Sequence, residues 1–138
     1  SGVMGILDWD MPSVNFTGSS HLYERFGYRE ESFKPTKAGF LDVVYPNDRS
    51  HLEAMIKSAF TGNCVGHEVE FRVMRGDGTS FVWTHSRGTV VRNESGEPLS
   101  IISVAVDITE RKQRELTLAF LADLQLSLIH ISEPTRPY

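Results

Sequence analysis

The sequence predicts an α+β domain: an antiparallel sheet with helices packed on one face, followed by a helix that leaves the core. Three observations carry this. Hydrophobicity repeats every two residues in the C-terminal half and at helical spacing before it. The strand segments of that half are joined by short turns, which makes them antiparallel neighbours. A block of helical segments separates two groups of strands, so the helices must cover the sheet rather than alternate with it.

The first strand segment is Met4-Gly5-Ile6-Leu7-Asp8-Trp9-Asp10; Pro12 interrupts, and Val14-Asn15-Phe16-Thr17 forms a short second strand. Short helical pieces follow at 20–26, around Glu30 and at 36–44, kept short by Gly27, Pro35 and Gly39. The clearest helix is 47–61. Its Leu52, Met55, Ile56, Ala59 and Phe60 recur at i, i+3, i+4, i+7 and i+8, one apolar face. Asn47 or Asp48 is placed to cap its orphan N–H groups, Asp48 also suits the positive end of the dipole, and Gly62 is placed to stop it.

After Gly66 the period becomes two. Val69, Phe71 and Val73 alternate with Glu68, Glu70 and Arg72, giving one buried face and one solvated face. Gly76-Asp77-Gly78 is a hairpin turn into a strand at 79–92. Asn93 to Pro98 turns the chain again, and a third strand, 99–108, is apolar on both faces as a covered central strand would be. A charged helix begins at Thr109 or Glu110.

Composition narrows the function classes. The chain of 138 residues is long enough for one domain with a core. A net charge of −4 and a pI near 5.7 argue against nucleic acid as a partner. The single cysteine, Cys64, leaves no internal disulfide and fits a reducing compartment, so a cytoplasmic location is expected. No apolar run approaches ~18 residues, so no membrane span is expected. Without a leader or an initiating Met, the chain is expected to be a piece of a longer one.

Taken together, several of these stretches resemble a PAS domain of the PAS-3 subgroup. They are Trp9-Asp10, Phe26-Gly27-Tyr28, Tyr45-Pro46-Asn47-Asp48-Arg49, Glu70-Phe71-Arg72, Asp77-Gly78, Trp83, Asn93 to Pro98, and Asp107-Ile108-Thr109-Glu110-Arg111-Lys112. The match covers about residues 4–115; Tyr45 stands where the family often has His. The resemblance implies a five-stranded antiparallel sheet of order 2-1-5-4-3 and a sensory or dimerisation module. Such modules commonly precede a histidine kinase, a diguanylate cyclase or another PAS domain. The implied organisation is a sensory domain at 1–109, a helical signalling linker at 110–125 and a tail at 126–138.

No constellation supports catalysis. There is no Gly-rich phosphate loop, nucleophile motif or HExxH, and Gly76-Asp77-Gly78 reads as a turn. No cofactor is expected. Photosensing relatives hold flavin through Asn-Cys-Arg-Phe-Leu-Gln, whereas Asn63-Cys64 is followed by Val65-Gly66-His67. Haem would need a histidine such as His51, which falls on the rim of the long helix. His21, His67, His85 and His130 show no metal spacing. The remaining candidate is the space between helices and sheet, either a filled core or a pocket for a small apolar ligand. Its expected lining is Phe26, Leu41, Met55, Phe60, Phe71, Val73, Phe81, Trp83, Ile102 and Val104.

The signal junction is expected at Asp107, Ile108, Thr109 and Arg111, with Asp107 anchoring the helix start through the Thr109 N–H or a cation such as Arg111. In the exit helix, Leu116, Leu118, Phe120, Leu121 and Leu124 give apolar faces that one helix cannot bury alone, so a homodimer through a short coiled coil is expected. Leu126 to Arg136 resembles the translation of a sequencing-library adapter. The expected function is therefore a sensory or dimerisation module relaying a signal to a covalently linked output domain, missing here, of a histidine kinase in a two-component system. The alternatives are a haem- or flavin-bearing sensor and the PAS module of a diguanylate cyclase.

Overall fold

The computed structural model of the chain describes residues 2–10, 15–62 and 65–132, and Asn63-Cys64 lies outside them. The elements are β1 (Gly2–Asp10), β2 (Asn15–Gly18), α1 (Ser20–Phe26), a 3-10 turn (Glu30–Ser32), α2 (Lys37–Val43), α3 (Pro46–Thr61), β3 (Gly66–Met74), β4 (Phe81–Arg92), β5 (Pro98–Asp107) and α4 (Thr109–Ser132). The strands form one antiparallel sheet of order β2-β1-β5-β4-β3, with the chain's first and last strands at its centre. This is the order the resemblance implied.

The helices between β2 and β3 bury their apolar residues with one sheet face. Phe16 on β2 is fully buried, with its ring 5.1 Å from Trp9, 5.0 Å from Phe40, 5.7 Å from Phe33 and 6.1 Å from Tyr23. Such edge and tilted contacts contribute roughly 0.5–1.5 kcal/mol each beyond area burial. α1 stops at Gly27, whose φ of 79° is the left-handed conformation that a helix C-terminus uses; the Gly27 and Tyr28 N–H groups close on Glu24 and Tyr23.

The start of α3 corrects one expectation. Tyr45 holds the N-cap position with Pro46 as first helical residue, and no side chain caps the helix. Asp48 sits in the first turn, but its carboxylate is taken by Arg72 of β3: Nε donates at 2.9 Å, Nη2 at 2.8 Å and the backbone N–H at 2.8 Å. A charged fork with two matched hydrogen bonds outcompetes a backbone cap. Arg72 is thus not part of a freely solvated strand face. Its guanidinium lies 4.1 Å from the Tyr45 ring centre and 4.8 Å from that of Trp83.

The chain divides into two units, Ser1–Ile108 and Thr109–Tyr138. In the second, α4 opens with ion pairs Arg111–Glu115 at 3.5 Å and Arg114–Glu110 at 3.9 Å, and runs unbroken past Gln125 to Ser132. Leu116, Leu118, Phe120, Leu121 and Leu124 are exposed on it. Among the described residues, no helix is long and apolar enough to cross a membrane.

Candidate functional site

Alternation along β3 turns His67 to the same face as Val69, Phe71 and Val73, toward the helices. In the sheet, His67 stands opposite Gly88 of β4, and Gly88 opposite Ser103 of β5. Because Gly88 has no side chain, the imidazole reaches over it, and Nε2 lies 2.9 Å from the Ser103 hydroxyl. A Cβ at Gly88 would run into the Ile102 carbonyl and lie 2.6 Å from the Ser103 Oγ.

The other ring nitrogen, Nδ1, is buried with no hydrogen-bond partner among the described residues. His67 also borders a void of about 10 Å³ between the sheet and α3, lined on the helix side by Leu52, Met55 and Ile56. That volume suits a single water. Burial holds the His67 pKa below its ordinary value of 6.5. The unfolded chain therefore binds the extra proton more readily. Stability contributed by neutral His67 is present above the unfolded pKa and drops as pH falls through the folded one. The expected result is a lower urea midpoint at pH 5.5 than at pH 7.5, with a smaller difference in His67→Gln. An equal difference in both proteins would assign the loss to other groups.

The ten residues expected to line the interior divide between the two sheet faces. Phe26, Leu41, Phe71 and Val73 are buried in the core, and Met55 and Phe60 pack partly buried against it. Of these, Met55 and Phe71 border the void. Phe81, Trp83, Ile102 and Val104 do not line the interior: the alternation of β4 and β5 places them on the opposite face, where Phe81, Ile102 and Val104 are exposed. The inward positions of these strands carry Val82, Thr84, Ser86, Ile101, Ser103 and Ala105. Opposite bulky helix aromatics, small residues fit inward and large ones point out. For the same reason β5 is central in the sheet but covered on one face only.

At the junction, Asp107 ends β5 and its Oδ2 accepts from Nε and Nη2 of Arg25 at 3.3 and 3.2 Å. Arg25 is the basic residue in the last turn of α1, a partner that sequence spacing does not reveal across 82 positions. Ile108 is buried, and its N–H donates to the Trp83 carbonyl at 2.9 Å. Arg111 pairs with Glu115 along α4. His51 is exposed on α3 and does not border the void. No cluster of three metal-ligating residues occurs among the described residues.

The family profile of the PAS fold matches residues 15–105. The chain is 26% identical over 113 residues to the probable diguanylate cyclase DgcE of Escherichia coli, covering 82% of this chain and 10% of that one. It is 31% identical over 91 residues to the sensor protein FixL of Bradyrhizobium diazoefficiens, covering 66% and 18%. The chain thus spans less than a fifth of these relatives' lengths. Among solved structures, a sensory box histidine kinase/response regulator from Burkholderia thailandensis superposes with a TM-score of 0.73 at 26% identity, covering 89% of this chain and 90% of that one. The N-terminal domain of a diguanylate cyclase from Marinobacter aquaeolei gives 0.69 at 23%, covering 78% and 97%. The sheet order, the helix-covered face and the family match together show that the chain belongs to the PAS fold family, as a sensor domain homologous to those of histidine kinases and diguanylate cyclases.

Proposed function

We propose that this sensor domain relays a change in its core through α4 to a histidine kinase output domain, and that the Arg25–Asp107 pair sets the coupling. The observation that supports this most is the tie between the last residue of a central strand and a helix of the core cover. Any shift of α1 against the sheet pulls on the residue two places before α4. The pair is partly desolvated on the acid side, with the Asp107 side chain 13% exposed, so the geometry is held more tightly than in a wet surface pair. The kinase and the diguanylate cyclase remain alternative outputs, since both kinds occur among the similar proteins.

The void supports a filled interior, because 10 Å³ holds no ligand larger than water. A small apolar ligand would have to open the space between α3 and the sheet, with His67 Nδ1 as its polar contact. A visible absorption band in purified protein would instead favour a haem- or flavin-bearing sensor. Pairing of two α4 helices through Leu116, Phe120 and Leu124 belongs to the same reading, as does a cytoplasmic location. The likeness of 126–138 to an adapter is tested by sequencing an intact genomic copy: the same tail there would refute it.

The relay is tested by grafting residues 1–125 onto an active histidine kinase. Asp107→Ala and Arg25→Gln are each expected to shift autophosphorylation several-fold from the level set by the wild-type graft, with circular dichroism unchanged. Autophosphorylation unaltered in both variants would overturn the coupling role.

A further inference from the structure

A cleft of about 520 Å³ opens in the first unit where β1 begins and β5 ends. That is the size of a small-molecule site, and none of its residues borders the void beside His67. One wall is α1, which contributes Glu24 and Arg25; the facing wall is Arg75, which follows β3. The two walls are clamped together. On one side of Arg75 the Met74 carbonyl accepts from the Tyr28 hydroxyl at 2.6 Å, and on the other the Gly76 N–H donates to the Phe26 carbonyl at 3.1 Å. A Cβ on Gly76 would run into the Gly27 carbonyl, so the turn lies hard against the end of α1. Arg75 is thus presented to the cleft by backbone bonds that its own side chain does not make.

The charges in the cleft are unevenly satisfied. Arg25 and Asp107 engage each other. The Arg75 guanidinium has no hydrogen bond or ion pair among the described residues, and Glu24 only approaches His21 Nδ1 at 4.0 Å, with these side chains 84% and 87% exposed. Glu24 and Arg75 line one cleft yet form no ion pair with each other. With His21 neutral, Arg25 and Arg75 balance Glu24 and Asp107. A bare anion or a bare cation therefore gains at one wall and loses at the other. A molecule carrying both charges gains at each.

We propose that this cleft binds a small amino acid as its zwitterion, the carboxylate on Arg75 and the ammonium group on Glu24. The planar guanidinium matches a carboxylate with two parallel hydrogen bonds. Arg25 has five donors and spends two on Asp107, so it shares the carboxylate without releasing its partner. The amino acid's side chain lies toward Val3, which is 70% exposed at the cleft. The inference goes beyond the relay reading and does not rest on it, because binding is read without any output domain.

Two-dimensional ¹H–¹⁵N NMR of the full chain, titrated with L-alanine and L-leucine, tests it. Saturable shifts are expected at the amides of Val3, Glu24, Arg25 and Arg75, with a Kd of about 1 mM or tighter. Propionate and ethylamine, which are alanine without its ammonium or its carboxylate, are each expected to bind at least about ten-fold more weakly. Arg75→Gln and Glu24→Gln are each expected to weaken alanine by about ten-fold or more, since each removes a charged hydrogen-bonding partner. Lys57→Gln, on α3 and outside the cleft, is expected to change nothing. Unsaturated shifts with both amino acids would overturn the proposal. So would propionate or ethylamine binding as tightly as alanine, or Lys57→Gln weakening it as much as Arg75→Gln.

Discussion

Gly88→Ala is expected to destabilise the domain by about 3 kcal/mol, a large effect for one added methyl group, since overpacking commonly costs 1–3 kcal/mol and sometimes more. The reason is local. The new Cβ would point at the Ile102 carbonyl and the Ser103 side chain, and β5 is pinned on both sides, by β1 and by β4. The strand cannot move aside without breaking a ladder. The methyl group also occupies the gap through which His67 reaches Ser103, so a partly buried hydrogen bond is lost with it. Urea denaturation reads the change. Ser103→Ala serves as the companion, because it removes the hydrogen bond without adding bulk, and is expected to lose only about 1 kcal/mol. Comparable losses in the two variants would mean that the steric argument is wrong.

The second large effect is expected at the Asp48–Arg72 clamp. Arg72→Ala removes a bidentate ion pair and the cation held against Tyr45 and Trp83. Charged hydrogen bonds contribute roughly 1.5–3 kcal/mol, and a cation over an aromatic face about 0.5–1 kcal/mol. A loss of about 3 kcal/mol is expected. Arg72→Lys recovers little, because an ammonium cannot reproduce the fork. Hydrogen bonds from Arg72 hold the Asp48 carboxyl below its ordinary 3.8. A lowered folded pKa means stability that is fully present above the unfolded value and lost as pH falls through the folded one. The stability gap between wild type and Asp48→Asn should therefore shrink below pH 4 and stay constant between pH 5 and 7. A gap that persists at low pH would show that the carboxylate charge is not what holds β3 to α3.

Period and punctuation made most of the fold legible. The change from helical spacing in α3 to alternation in β3 is visible in Leu52 to Val73 alone, and the strand boundaries at Gly76-Asp77-Gly78 and Asn93 to Pro98 follow from turn chemistry. The strand order needed the family resemblance, since no local signal pairs β1 with β5. The candidate lining was harder. Alternation fixes two faces but not which one is covered. In β4 the apolar bulk of Phe81 and Trp83 outweighed the small Thr84 and Ser86 that face the helices. His67 was within reach of the sequence, because it lies two residues before Val69 and shares its parity. Its role depends on the missing side chain at Gly88, which only the cross-strand register brings opposite it.

The pairing of β1 with β5 has a consequence for how such a module sits in a polypeptide. Gly2 stands opposite Asp107 in the ladder, so the chain enters and leaves the folded unit at neighbouring points. A unit with adjacent ends can be spliced into a larger protein, or repeated, without stretching what lies on either side. The same pairing delays closure during synthesis. The centre of the sheet cannot form until β5 has left the ribosome, after nearly all of the unit has been made. β1 must wait unpaired on its β5 side until then, which makes this a slow, non-local step of folding.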